Sequence, residues 1–200
     1  MTASHNVTWQ DTAVTRDWRW EALGRRGATV WFTGLPASGK STLAATVEEL
    51  LIGLGRTAYL LDGDNLRHGL CADLGFAPAD RDENVRRVSE VACMFADAGT
   101  IALVALVSPY TAERRSAREL HERNGLTFLE VFLNTPLDEC EARDPKGLYR
   151  RARAGELHGM TGVDAPYEPP TQPDLQIGSD TNLEVAARVV VDSLSLILGL

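Results

Sequence analysis

The sequence predicts an α/β domain, a parallel five-stranded sheet flanked by helices on both faces and completed by a lid segment. Three observations predict it. Apolar runs of strand length alternate with stretches of helical spacing, and the runs are apolar on both faces. A glycine-rich turn joins the first strand to the first long helix. Late in the chain, residues 155–174 hold four prolines and little periodicity, the pattern of a loop or lid.

Residues 1–26 are polar, with Trp9, Trp18 and Trp20 among charges. They read as a surface arm whose indoles pack elsewhere, a second subunit being one candidate. Residues 27–200 read as a single domain with its lid at about 143–174. Ala28–Thr33 (ATVWFT) is a buried strand, and Gly39–Leu54 is a helix ending near Gly53 and Gly55. Thr57–Leu61 is a second strand running into Asp62-Gly63-Asp64-Asn65. Arg81–Ala98 is a long helix ended by Gly99, and Ile101–Val107 a continuous apolar strand. Ala112–Arg123 is a charged helix with Gly125 just past its end, followed by a strand at Thr127–Leu133. Pro136–Ala154 contains helical segments, Leu175–Ile177 is a short last strand, and Asn182–Leu198 a closing amphipathic helix.

Composition bounds the function. Hydrophobic residues make up 44% and charged residues 24%, an ordinary globular mix. The net charge of −8 argues against a general nucleic-acid binder, which needs a basic face. It leaves room for a small anionic substrate at a local cationic cluster. No stretch approaches the roughly 20 apolar residues of a membrane-spanning helix, and the N-terminus has no signal-type apolar run. Cys71, Cys93 and Cys140 lack metal-ligand spacing and read as reduced thiols. His5, His68, His121 and His158 show none either and read as surface or packing residues. A cytoplasmic protein is the expectation. One count stands out: 18 arginines accompany only two lysines, Lys40 and Lys146.

The strongest motif is Gly34-Leu35-Pro36-Ala37-Ser38-Gly39-Lys40-Ser41, which fits G-x-x-x-x-G-K-[ST] between a strand and a helix. It makes the sheet one of P-loop NTPase type. Small residues such as Gly34, Ser38 and Gly39 let backbone N–H groups close around a phosphate, and the helix start at Ser41 and Thr42 adds partial positive charge. Lys40 places an ammonium on the β and γ phosphates of ATP, and the Ser41 hydroxyl suits Mg²⁺. The motif alone leaves the phosphate acceptor open. Asp62 and Asp64 end the second strand and share the ligand rim of the sheet. Asp64, with Arg67 nearby, fits a role on an attacking hydroxyl, whereas Asp62 is equally suited to an Asx turn capping the next helix. The charge run Asp80–Arg87 is, on its own, adequately explained as a solvated helix face.

The order GLxxxGKS, DGDNxRxGL, LGF, DRxEN-x-RR, a buried strand ending SPY, CExRDxKGLYxRARxGE and GxTGxDxPYExP resembles the adenylylsulfate kinase family over about residues 7–195. The resemblance implies transfer of the ATP γ-phosphate to the ribose 3′-hydroxyl of adenylylsulfate, giving 3′-phosphoadenylylsulfate. It implies that Asp64 orients or deprotonates that hydroxyl, that Arg67 and Arg81 grip the phosphosulfate, and that Asn84 adds a polar contact. Phe76 is implied as one face of an aromatic stack on the adenine, with Met160 closing the other, and Lys146 as a cation near the substrate. Arg143, Arg150 and Arg151 fall in the segment leading into the lid over ATP. A homodimer and an association with ATP sulfurylase are also implied. For Ser108 the family suggests a phosphorylated intermediate. With no base beside it in sequence, the preferred reading is a helix N-cap with Pro109 at N1, or an orienting hydroxyl. The chain departs from the family at Pro36-Ala37, where Ser-Gly is usual, at Met160, where Phe is more common, and at Thr111, where a basic residue is more common. Two alternatives stay open: another small-metabolite kinase on the same scaffold, and a non-catalytic nucleotide-binding partner of a sulfurylase. Lys40, Ser41 and Asp64, all intact, argue against the last.

Overall fold

The computed structural model describes residues 6–8 and 10–199, so His5 and Trp9 lie outside the described residues. The strands are β1 (Ala28–Thr33), β2 (Ala58–Asp62), β3 (Ile101–Ala105), β4 (Thr127–Asn134) and β5 (Leu175–Gly178). All pair in parallel, in the order β2-β3-β1-β4-β5. β1 lies at the centre and is buried at every position.

The main helices are α1 (Arg16–Leu23), α2 (Lys40–Gly53), α4 (Pro78–Asp97), α5 (Thr111–Arg123) and α8 (Leu183–Leu198). Shorter ones are α3 (Gly63–Leu66), α6 (Leu137–Arg143) and α7 (Leu148–Arg153). From β1 the chain steps past β3 to reach β2, then returns in the opposite direction to β3 and β4. Right-handed crossovers therefore place α2 on one face and α4 with α5 on the other. α2 and α8 cover the first face, where Leu43, Val47 and Leu51 meet Ala187, Val190 and Leu194. On the second, Val85, Val88 and Ala92 of α4 meet Trp31, Val104 and Phe128 of the sheet. Each buried Val or Leu side chain among them contributes roughly 1.5–3 kcal/mol by leaving water. α8 starts under a side-chain cap, Asn182 accepting from the Glu184 and Val185 N–H groups at 2.9 and 3.3 Å.

Several boundaries move for identifiable reasons. α4 begins a turn before Arg81, because Pro78 sits in the first turn, where its missing N–H is harmless. β3 ends at Ala105 rather than Val107. Leu106 N–H still reaches the Phe32 carbonyl at 3.2 Å, and Ser108 then turns away at φ 38°. The stretch 136–154 divides into α6 and α7 around Asp144, whose carboxylate accepts the Tyr149 and Arg150 N–H groups.

The N-terminal arm holds a helix that periodicity does not reveal, because α1 buries no residue. It is fastened by polar contacts to one carboxylate. Arg16 Nε and Arg19 Nη1 each donate to Asp97 at 2.7 Å, and Trp20 Nε1 donates to the Asp97 carbonyl at 3.0 Å. Trp20 thus packs on its own chain, while Trp18 is exposed. The three cysteines are buried free thiols. No helix among the described residues is long and apolar enough to cross a membrane.

His121 in α5 is fully buried beneath β1. Its Nδ1 donates to the Ala117 carbonyl at 2.8 Å, which leaves Nε2 to accept from the Thr29 hydroxyl at 2.8 Å. Burial disfavours the charged ring and holds its pKa below the ordinary 6.5. The unfolded chain therefore takes up the proton first, and stability falls as pH drops through 6.5. In thermal melts from pH 7.5 downward, the stability advantage of the wild type over His121→Gln should shrink below that value; a constant gap would show that His121 does not titrate on unfolding.

Candidate active site

The turn between β1 and α2 is built by close approach. Gly34 has φ 151°, and a Cβ there would sit 2.8 Å from the Leu133 carbonyl and 2.9 Å from Ser38 Oγ. Gly39 caps α2 at φ 101°. Ala37 takes the left-handed region at φ 60°, a conformation that costs a non-glycine residue roughly 1–2 kcal/mol. The turn is pinned from outside: Thr135 Oγ1 donates to the Ser38 carbonyl at 3.1 Å and Tyr149 Oη to the Pro36 carbonyl at 3.0 Å. These clamps offset the conformational cost of Pro36-Ala37.

Lys40 lies inside this turn and is 8% exposed. Its ammonium donates to the Gly34 and Leu35 carbonyls at 3.0 and 2.7 Å and to Ser38 Oγ at 3.3 Å. Burial pulls its pKa down to about 8, opposed by Cys140, Asp62 and Asp64. Ser41 Oγ donates to Asp62 Oδ2 at 2.6 Å. The other Asp62 oxygen accepts the Asp64 N–H at 3.0 Å and the Asn65 N–H at 3.4 Å. Asp62 therefore fills both roles open to it, capping α3 and facing the nucleotide turn. A hydroxyl and a carboxylate side by side form a hard-oxygen pair suited to a small divalent cation.

Beyond α3 the second half of the site assembles. Asp64 pairs with Lys146, which arrives from the turn between α6 and α7. Arg67 donates to the Leu74 and Gly75 carbonyls at 3.1 and 2.8 Å and lies over the Phe76 ring, 4.3 Å from its centroid. Arg81 reaches across to the segment after α7, donating to Thr161 Oγ1 at 2.7 Å and the Gly159 carbonyl at 2.5 Å. Asn84 is buried, and its Nδ2 has no partner among the described residues. Met160 and Thr161 are buried as well, so part of the stretch expected to be irregular packs firmly over the rim.

One cavity of about 1110 Å³ joins these parts. Ser38, Gly39, Lys40, Ser41 and Thr42 line one end; Asp64, Arg67, Phe76, Arg81 and Asn84 line the other; Ser108, Arg143, Lys146 and Met160 complete the wall. Two expected residues do not line it. Gly34 acts through shape, beneath the turn. Arg150 folds back on Gly147, close to where a Cβ would stand, and Arg151 lines the cavity in its place. Ser108 is not the N-cap of α5. Tyr110 holds that position, and the Ser108 hydroxyl accepts from Trp31 Nε1 at 3.0 Å and bonds Thr33 Oγ1 at 3.2 Å. Sequence reasoning missed Thr135, Tyr149 and Thr161, whose partners are distant in the chain.

The family profile described as adenylylsulphate kinase matches residues 26–178. The chain belongs to the adenylylsulphate kinase family. It is 55% identical over 181 residues to the adenylyl-sulfate kinase of Citrobacter koseri, covering 89% of both chains. It is 51% identical over 189 residues to that of Erwinia tasmaniensis, covering 94% of this chain and 93% of the relative. Among solved structures, the APS kinase of Mycobacterium tuberculosis in complex with AMPPNP and APS superposes with a TM-score of 0.84 at 54% identity. The match covers 86% of this chain and 99% of that one. A gluconokinase from Sinorhizobium meliloti, 16% identical with a TM-score of 0.53, shares the fold.

Phosphate oxygens hold an ammonium in its charged form. As Lys40 loses its proton in the free protein at about pH 8, binding at higher pH must take one up. Calorimetric affinity for a nucleoside triphosphate should therefore fall above that pH, by at most about tenfold per unit. Lys40→Met should bind weakly and without this dependence, and an equal slope in the variant would remove Lys40 as its origin.

Proposed function

We infer that the chain is an adenylylsulfate kinase, moving the γ-phosphate of ATP to the ribose 3′-hydroxyl of adenylylsulfate to give 3′-phosphoadenylylsulfate. The observation that carries this reading is the single cavity with a triphosphate cradle at one end and a carboxylate among arginines at the other. Phosphoryl transfer needs the two substrates in line and the developing charge neutralised, more than it needs covalent chemistry.

Lys40 and the amides of the turn hold the triphosphate. Ser41 and Asp62 are the residues that would hold Mg²⁺. Such an ion takes few protein ligands, and among the described residues there is no cluster of three or more His, Cys, Asp or Glu to bind a metal otherwise. When bound it neutralises charge on the β and γ oxygens. Asp64 orients the attacking hydroxyl and takes its proton, and Lys146, paired with it, brings a cation to the transferring group. Arg67 and Arg81 face the phosphosulfate, for which planar guanidinium forks are well shaped. Asn84 Nδ2, buried with no partner among the described residues, supplies a donor to the same substrate. Phe76 and Met160 bracket the adenine. The segment 155–174 serves as the lid that excludes water, which would otherwise compete with the 3′-hydroxyl. A homodimer and a functional link to ATP sulfurylase follow from the family resemblance alone.

Coupled ADP release with Mg·ATP and a panel of acceptors tests the reading. Turnover is expected with adenylylsulfate and not with shikimate, gluconate or AMP; turnover on gluconate alone would select another small-metabolite kinase. Asp64→Ala should lower turnover by about 10²- to 10⁴-fold, the range of general-base catalysis, with ATP affinity nearly intact. Equal loss of both in that variant would remove Asp64 from the acceptor role.

A further inference from the structure

Arg114 is 3% exposed, yet it lies outside the catalytic cavity. Its guanidinium is used on four sides. Nε donates to Glu130 Oε1 of β4 at 2.9 Å, and Nη1 to the Ser108 carbonyl at 2.7 Å. Nη2 donates to the Glu168 carbonyl at 2.7 Å and to Thr111 Oγ1 at 3.3 Å. Burial raises the Glu130 pKa, and Arg114 with Arg118 offsets only part of that shift.

Around this fork the chain at 108–111 is joined to the chain at 167–168. Glu168 N–H donates to the Pro109 carbonyl at 2.8 Å, and Thr111 N–H to Glu168 Oε2 at 2.8 Å. The Tyr167 ring stacks on Phe132, and its hydroxyl meets Thr33 Oγ1 at 3.0 Å. Proton directions follow from the partners. Thr33 gives its own hydrogen to the Val107 carbonyl at 2.8 Å, so it accepts from both Tyr167 and Ser108. Burial raises the Tyr167 pKa to about 12, which keeps the phenol a donor. The Ser108 hydroxyl thus gives its hydrogen to Thr33 and accepts from Trp31. Every bond holds the residue in the left-handed conformation at φ 38° that turns it into the cavity wall.

The two joined segments have different duties. Residues 108–109 line the cavity, and Tyr167–Glu168 form the root of the segment whose Met160 and Thr161 also line it, with Thr161 on Arg81. We propose that Arg114 and Tyr167 are positioning residues for phosphoryl transfer, fixing the lid's C-terminal root to the Ser108 wall so that acceptor and donor stay in register. The catalytic part of the proposal rests on the adenylylsulfate kinase reading; the structural part does not.

Arg114→Ala would leave Glu130 buried without its cation and could fail to fold. The test therefore uses Arg114→Lys, which keeps the charge but not the fork, and Tyr167→Phe, which keeps the ring but not the hydroxyl. The first readout needs no acceptor. Amide exchange over residues 155–166 should quicken about tenfold, the worth of one lost hydrogen bond, while α2 exchanges as in the wild type. Unchanged exchange over 155–166 in both variants overturns the proposal whatever the acceptor is. The second readout is steady-state transfer to adenylylsulfate. The turnover number should fall about tenfold with the KM for ATP within about twofold, and hydrolysis of ATP without acceptor should rise relative to transfer. Wild-type turnover with wild-type coupling, or loss of melting temperature alone, overturns it. A wild-type protein inactive on adenylylsulfate would instead sink the functional reading, with the exchange experiment still deciding the structural claim.

Discussion

A buried ammonium inside a tight turn is the constraint around which the site is arranged. Lys40 cannot sit at 8% exposure without acceptors, and the turn supplies two carbonyls and a hydroxyl. To present them, the backbone must pass through the left-handed region at Ala37 and close against Leu133 at Gly34. Such a turn holds its shape only when its surroundings over-determine it. Thr135 from beyond β4 and Tyr149 from α7 do so by gripping the turn's own carbonyls. The nucleotide end of the cavity is thus rigid because neighbouring strands and helices are bonded to its backbone.

The sheet then decides what faces that turn. In the order β2-β3-β1-β4-β5, β2 and β1 are separated only by β3, and all point their carboxyl ends the same way. Asp62, the last residue of β2, lands on Ser41, and the tight α3 turn carries Asp64 onward into the cavity. β3 departs between them and delivers Ser108 to the same wall. A carboxylate pair two residues apart is divided by this geometry: Asp62 is buried against the nucleotide turn, while Asp64 is open and paired with Lys146 from the turn between α6 and α7. Position along one strand end is enough to give the two acids different partners.

How far this was legible in the sequence depends on how local each signal is. The nucleotide turn, the five strands and the long helices are written in contiguous stretches, and they were legible to within a turn or so. The capping half of Asp62's role was visible too, since its Asx turn is completed by Asp64 and Asn65. Of the two readings of Ser108, the helix cap fails, and sequence could not show it because its partners, Trp31 and Thr33, lie more than seventy residues away. Arg150 and Arg151 are adjacent in a six-residue helix, and only the helix's rotation decides that the second lines the cavity. α1 escaped notice because it has no buried face for periodicity to register. The roles given to Arg67, Phe76, Arg81, Asn84, Lys146 and Met160 came from the resemblance, whereas those of Lys40, Ser41 and Asp64 were legible from the motif and the end of the second strand.

The two lysines among 18 arginines acquire a physical reading from the same geometry. Three of the arginines work as forks: Arg114 on four partners, Arg87 on Asp73 and Glu83, Arg81 on Thr161 and Gly159. A planar group with five donors suits such multiple, fixed contacts. Both lysines line the same cavity. Lys40 is enclosed by carbonyls a single ammonium can satisfy, and Lys146 makes a point contact with the Asp64 carboxylate. Groups that must pass a charge between partners during a reaction are better served by a compact cation on a flexible stem than by a guanidinium locked to several acceptors. A chain that uses arginine almost everywhere else thus carries its two lysines at the two ends of one cavity, one enclosed by carbonyls and one on a carboxylate.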